Sequence, residues 1–231
     1  MKIVILTGAG ISAESGLGTF RDVDGLWTQY DLEEVATPEG FARNPALVHE
    51  FYNARRANCL NAAPNAAHTA LARLEREFAG EVLIVTQNVD DLHERAGSRA
   101  VWHMHGDLAG ALCAACGFRW DAPKVMTAGD PCPDCGAAMT RPDIVWFGEM
   151  PYLMDEILAA LVSADLFVSI GTSGNVYPAA GFVEVAAQAG VATLELNLEA
   201  SDVASGFDAT RQGMASDLVP AWVAEVLAQA V

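Results

Sequence analysis

The chain has 231 residues, 52% of them hydrophobic and 19% charged, with 13 basic against 30 acidic side chains and a formal charge of −17. Such hydrophobicity excludes a disordered chain, and the length allows one large core or one large and one small. The acid excess argues against direct contact with nucleic acid, whose binders carry a basic patch or stripe, and accommodates a cationic partner more easily.

Lys2–Thr7 (KIVILT) reads as the first buried strand. The opening Met1-Lys2-Ile3-Val4-Ile5-Leu6 mimics a signal peptide, but its apolar stretch is too short for one. No later run reaches the length of a membrane span, so a soluble, cytoplasmic protein is expected. Gly8-Ala9-Gly10-Ile11-Ser12-Ala13 then fits the G-x-G-x-x-G/A fingerprint, whose second glycine lets backbone amides approach a pyrophosphate. The fingerprint is weak alone. A dehydrogenase would next show a strand ending in an acid, and no strand leads into Asp31, Glu33 or Glu34. Arg21 reads equally well as a phosphate ligand or as half of a surface salt bridge.

Residues from about Trp27 to Glu77 carry no strand signal, and helices are expected over 45–61 and 65–78. Tyr52 and Arg55 share a face of the first of these. A phenol beside a guanidinium can grip a carboxylate, although spacing alone favours a solvated face with Arg55 paired to an acid. Cys59 reads as a small buried apolar residue. Glu81–Thr86 (EVLIVT) is the second strand and runs into Gln87-Asn88-Val89-Asp90. His103-Met104-His105-Gly106 follows. A histidine at the end of an element is more often only hydrogen-bonded, but the polar cluster after the second strand argues for a site here.

Cys113-x2-Cys116-x15-Cys132-x2-Cys135 matches the spacing of a structural four-thiolate zinc site, with a redox dithiol or core cysteines as the rivals. The remaining strands are Leu166–Ile170 (LFVSI), followed by Gly171-Thr172-Ser173-Gly174-Asn175, and Ala192–Asn197 (ATLELN), followed by Leu198-Glu199. Helices are expected over 151–164, 180–189 and 220–230. Strands alternating with helices predict an α/β fold, a Rossmann-like parallel sheet with helices on both faces plus a small zinc-ribbon and helical module. The sheet domain is assigned to residues 1–30, 79–108 and 142–231, and the inserted module to 31–78 and 109–141. Polar residues gather after all four strands, the edge where open α/β sheets bind ligands.

With these motifs in order, the chain resembles the sirtuin family of NAD-dependent protein-lysine deacylases. The resemblance covers nearly the whole length. Gly8-Ala9-Gly10-Ile11-Ser12, Ser15-Gly16 and Phe20-Arg21 resemble the family's NAD-binding opening. Thr86-Gln87-Asn88-Val89-Asp90-x-Leu92-His93 resembles its core motif, and His105-Gly106 its catalytic histidine. Phe147-Gly148-Glu149 resembles the site that pairs with the substrate backbone as an added strand. Gly171-Thr172-Ser173, Asn197-Leu198-Glu199 and Gly213-x-Ala215 resemble the remaining cofactor loops. Thr19 and the Tyr52/Arg55 pair resemble the class III branch, which removes succinyl and malonyl groups. On that resemblance carboxylate recognition becomes the favoured reading of the pair. Gly18, Asp107 and Gly174 depart from the commoner residues.

The resemblance implies catalytic roles for His105, Asn88 and Asp90. It implies cofactor contacts from Gly8, Ala9, Gly10, Ser12, Ser15, Phe20, Arg21, Trp27, Gln87, Asn88, Asp90, His105, Gly171, Thr172, Ser173, Asn197, Glu199 and Ala215. Substrate contacts would come from Tyr52, Arg55, Val145, Phe147, Gly148 and Glu149, and one structural zinc would sit on Cys113, Cys116, Cys132 and Cys135. The implied chemistry is attack of the acyl oxygen on the NAD ribose as nicotinamide leaves, with His105 as general base. Water then releases free lysine and O-acyl-ADP-ribose. The expected partners are acyl-lysine proteins or peptides met by a monomer. A mono-ADP-ribosyltransferase and a non-catalytic NAD-sensing module are the alternatives.

Overall fold

The computed structural model describes residues 1–18 and 30–229. A six-stranded sheet has the order β3-β2-β1-β7-β8-β9. Its strands are β1 (Lys2–Thr7), β2 (Glu81–Thr86), β3 (Val101–His103), β7 (Leu166–Ile170), β8 (Ala192–Asn197) and β9 (Ala209–Gln212), every pairing parallel. A second, antiparallel sheet has the order β5-β4-β6, from β4 (Gly106–Cys113), β5 (Arg119–Asp121) and β6 (Thr140–Ile144).

The helices are α1 (Ala9–Ala13), α2 (Leu32–Val35), α3 (Pro38–Arg43), α4 (Pro45–Asn61), α5 (Ala66–Glu77), α6 (Leu92–Ala96), α7 (Met154–Val162), α8 (Phe182–Gln188) and α9 (Ala215–Gln229). Alternation along β1 divides the sheet into two faces, as strand geometry requires. Ile3 and Ile5 join Ile84, Leu71, Leu74, Val219 and Trp222 in one core, under α5 and α9. Val4 and Leu6 join Phe167, Ile157, Leu161, Phe182 and Val183 in the other, under α7 and α8. A third core links α2 and α4 to β4 and β6 through Val35, Phe51, Tyr52, Leu108, Ile144 and Trp146.

Several elements differ from the sequence reading. The strands β3 and β9 join the sheet edges, and β9 is exposed along its whole length, so it carries no apolar signal. The helices expected over 151–164 and 180–189 contract to α7 and α8, the latter entered through a 3₁₀ turn at Ala179–Gly181. The last helix starts at Ala215 rather than at Pro220, which lies inside it. Proline removes one helical hydrogen bond there, while the Glu14 carboxylate accepts from the Ser216 amide (3.0 Å) and from its hydroxyl, anchoring the first turn. α5, placed by sequence with the inserted module, packs its apolar stripe on the large sheet.

Candidate active site and metal centre

The strand order reverses direction between β1 and β7, and the loops after these two strands meet there. The Gly8 amide donates to Ile170 O (3.0 Å) and the Gly10 amide to Gly171 O (2.8 Å). A Cβ on Gly10 would fall 2.7 Å from Gly171 Cα, and one on Gly171 would fall 2.5 Å from the Ile11 nitrogen. These glycines therefore serve loop-to-loop contact, and the Gly10 amide is spent on it. The two segments that meet here, Gly8-Ala9-Gly10 and Gly171-Thr172-Ser173, are small and carry no carboxylate. An anionic diphosphate fits such an edge.

After β2 the chain builds a buried polar cluster. Ser12 Oγ donates to Asp90 Oδ2 (3.0 Å) and accepts from Asn88 Nδ2 (3.1 Å), which also reaches Gly8 O (3.1 Å). Asp90 Oδ1 accepts from the Leu92 amide (3.1 Å). Burial pushes the Asp90 carboxyl up, against the pull of these donors. His68 Nε2 lies 3.4 Å from Ser12 Oγ, and its Nδ1 accepts from the Asn65 amide (3.3 Å) in a capping box that opens α5. Asn65 Nδ2 reaches Ile11 O (2.8 Å) and Ser15 Oγ (3.1 Å). Asn65 and His68 escaped the sequence reading, though Asn-x-x-His ahead of an apolar periodic run was a visible helix-start signal.

His105 sits just before β4. Its Nδ1 donates to Gln87 O (3.2 Å), which fixes the tautomer and leaves the Nε2 lone pair available. Burial holds the ring below the ordinary histidine pKa, so it is neutral and basic near pH 7. Its neighbour His103 differs. Burial lowers it, but Glu94, 2.8 Å from Nε2, together with Asp107 and the Asn88 carbonyl outweighs that and raises the pKa. Asp107 turns its carboxylate to the Ala109 amide (2.8 Å), and the charges around it are His103 and Arg56, with Glu94 and Asp91 opposing.

Tyr52 is 1% exposed, and its hydroxyl accepts from Trp146 Nε1 (2.9 Å). The Arg55 guanidinium is half-buried, 5.6 Å from the Tyr52 ring centroid and 5.7 Å from that of Phe51. The pair is therefore not a solvated helix face. Cys59, further along α4, is buried, and its thiol meets Asp91 Oδ1 at 3.6 Å.

The segment after β6 departs from the expected open strand edge. The Val145 amide is taken by His105 O (2.9 Å) and the Phe147 amide by Ala36 O (2.9 Å), and Phe147-Gly148 forms a turn. Phe147 is half exposed. Glu149 is not a free substrate contact, because its carboxylate takes a bidentate pair from Arg141 (2.7 and 2.8 Å) and the Trp146 amide (2.8 Å).

At the far strand ends, Asn197 Nδ2 donates to Thr172 O (2.6 Å), Ser173 Oγ meets the Asn175 amide (3.4 Å), and Glu199 is exposed. Ala215 opens α9. Thr19, Phe20, Arg21 and Trp27 lie outside the described residues.

In the small sheet, all four cysteine sulfurs lie within 4.8 Å of one another. Cys113 to Cys135 is 3.7 Å and Cys116 to Cys132 is 3.8 Å, far beyond a disulfide bond. A tetrahedron of thiolates around Zn²⁺ has edges of about 3.8 Å, from Zn–S bonds of about 2.3 Å. The two turns repeat one geometry, with the Gly117 amide on Cys113 O and the Gly136 amide on Cys132 O (both 2.9 Å). The four residues fit a closed structural zinc.

Comparison with known proteins places these observations. The Sir2 family model matches residues 8–178. An "NAD-dependent protein deacylase" of Caulobacter vibrioides is 59% identical over 233 residues, covering 99% of this chain and 98% of that protein. A solved Sir2 homologue in complex with NAD superposes with a TM-score of 0.91 at 40% identity, covering 100% of this chain and 91% of that one. A mutant Sir2 homologue in complex with 2'-O-acetyl ADP-ribose superposes at 0.90 with 39% identity, covering 99% and 93%.

Proposed function

The chain belongs to the Sir2 family, and on that premise we propose that it is an NAD-dependent protein-lysine deacylase acting on acetyl-lysine and, through Tyr52 and Arg55, on succinyl- and malonyl-lysine. The observation that carries the reading is His105. Its Nδ1 is pinned by the carbonyl of Gln87, which stands on the same loop that buries Asn88 and Asp90 against Ser12, and its Nε2 is left as a neutral base.

NAD, when bound, supplies a ribose carbon that becomes open to attack as nicotinamide departs. The chain's own groups do the rest. Gly8, Ala9, Gly10, Thr172 and Ser173 line the edge for the diphosphate, and Asn197, Glu199 and Ala215 lie where the adenosine end would rest. Gln87, Asn88 and Asp90 hold the nicotinamide-ribose end, with Ser12 and Ser15 behind them. His105 Nε2 takes the proton of a ribose hydroxyl, the role a lone-pair-bearing imidazole near its working pKa performs well. Arg55 offers a fork for a carboxylate and Tyr52 a single hydroxyl donor beside it. The exposed Phe147 and the Gly148 turn flank the acyl-lysine, and Val145 and Glu149 hold that turn in place.

His105→Ala is expected to lower turnover of acetyl and succinyl peptides by roughly 10²- to 10⁴-fold, the usual share of general-base catalysis. Nicotinamide release and peptide mass are the readouts. Undiminished turnover overturns the mechanism, and ADP-ribosylated protein in place of deacylated peptide overturns the reaction class.

A further inference from the structure

A line of four side chains runs from the turn after β6 to the face of α4. Glu149 clamps Arg141 through two oxygens, and Arg141 Nη2 also reaches Ile144 O (2.7 Å). The Arg141 guanidinium carbon lies 3.4 Å from the centroid of the Trp146 ring system, and Arg141 is 7% exposed. The Trp146 indole N–H then donates to the Tyr52 hydroxyl. Trp146 and Tyr52 are both buried, so this bond is shielded from competing water.

The direction of that last bond matters. A phenol has one proton to give and lone pairs to receive with. Indole N–H is a donor only, so it takes the receiving side. Among the described residues, no acceptor takes the phenol's own proton. Burial also pushes the Tyr52 hydroxyl pKa up, which keeps that proton in place. A cation on an indole face draws electron density from the ring, which makes its N–H the better donor.

We propose that Trp146 is a specificity-positioning residue, with its N–H occupying the receiving side of the Tyr52 hydroxyl so that Tyr52 presents a proton, beside Arg55, to the carboxylate of an anionic acyl group. Arg141 and Glu149 act further back, by holding the indole. The proposal rests on the carboxylate-grip reading of Tyr52 and Arg55, and it gives Glu149 a task its committed carboxylate can perform.

The test compares kcat/KM for succinyl and acetyl peptides in the full-length, zinc-loaded enzyme. Trp146→Phe keeps a ring and deletes the N–H. The succinyl-to-acetyl ratio is expected to fall about fivefold, the scale of one buried hydrogen bond, through a higher KM for succinyl peptide. In a Tyr52→Phe background the same substitution should leave the ratio unmoved. Replacing Trp146 with benzothienylalanine, which exchanges N–H for sulfur in a ring of the same shape, separates the lost donor from altered packing and should reproduce the fall.

The outcomes separate. If Tyr52→Phe and Arg55→Met lower the ratio but neither Trp146 variant does, the relay is wrong and the grip stands. If none of the four changes the ratio, the grip itself fails and the relay falls with it. If the Trp146 variants weaken both peptides equally, or act equally with Phe at position 52, Trp146 is only structural and the proposal is overturned.

Discussion

The strand-end cluster of the large sheet and the cysteine turns of the small sheet are both well-defined polar sites, yet they are held by opposite means. Asn88 and Asp90 sit on the loop after β2, Ser12 on α1 and His68 on α5, all rooted in two apolar cores, one on each face of β1. Their positions are inherited from packing. The region carrying the cysteines has little of its own to bury: Phe118, Val125 and Met139 are exposed, and Cys116 and Cys135 face solvent. Its two turns meet through the Ala114 amide on Met139 O (2.8 Å) and through the four clustered sulfurs. A small unit with too thin a core needs a staple, and a zinc ion on these four cysteines would supply it.

The largest effect expected from this contrast comes from the metal. Structural zinc contributes on the order of 10 kcal/mol or more to folding in small units. Cys132→Ser should therefore release zinc and leave the amides between about residues 113 and 140 open to hydrogen exchange, while β1, β2 and β7 stay protected. Equal loss of protection in the large sheet would show that the two regions fold as one, and the comparison would break. A smaller effect of the reverse kind is expected from Leu71, fully buried against the large sheet. Leu71→Ala should cost about 2–5 kcal/mol in denaturant unfolding, with metal analysis still giving one zinc per chain.

The same contrast explains what could be read from sequence. β1, β2, β7 and β8 were legible to the residue because a strand covered on both faces is a run of apolar residues bounded by small ones. β3, β5, β6 and β9 were not, since edge and ribbon strands such as Arg119–Asp121 and Ala209–Gln212 are short and polar and owe their form to neighbours. The cysteines were legible because metal ligation imposes a spacing. His105 was legible by motif, but the groups that set its state, the Gln87 carbonyl and the surrounding burial, come from tertiary contact. The commitment of the Glu149 carboxylate was not legible for a related reason. Its partner Arg141 lies eight residues back across a turn, and no local pattern announces that a carboxylate is already taken.

The smallest effect lies beneath the active site and concerns protons. His68 and His93 are both fully buried, their ring centroids 4.9 Å apart, with His93 Nε2 3.0 Å from Thr7 Oγ1 and its Nδ1 without a partner among the described residues. Desolvation holds His68 down to about 4 and His93 to about 3. In the unfolded chain each ring takes its proton near pH 6.5. Both rings are neutral in both states above that pH, so their contribution to stability is then at its full value. As the pH falls below 6.5 the unfolded state gains protons that the native state refuses, and stability drops until the native rings titrate near 4 and 3. Between pH 7 and 5 the loss is about 2 kcal/mol for each histidine. His93→Gln removes one titrating ring, so the unfolding free energy of that variant should vary less with pH by about that amount, whatever its level at pH 7. An unchanged slope would mean that the ring gains its proton in the folded protein, and that the cluster under Ser12 and Asp90 is wetter than its packing indicates.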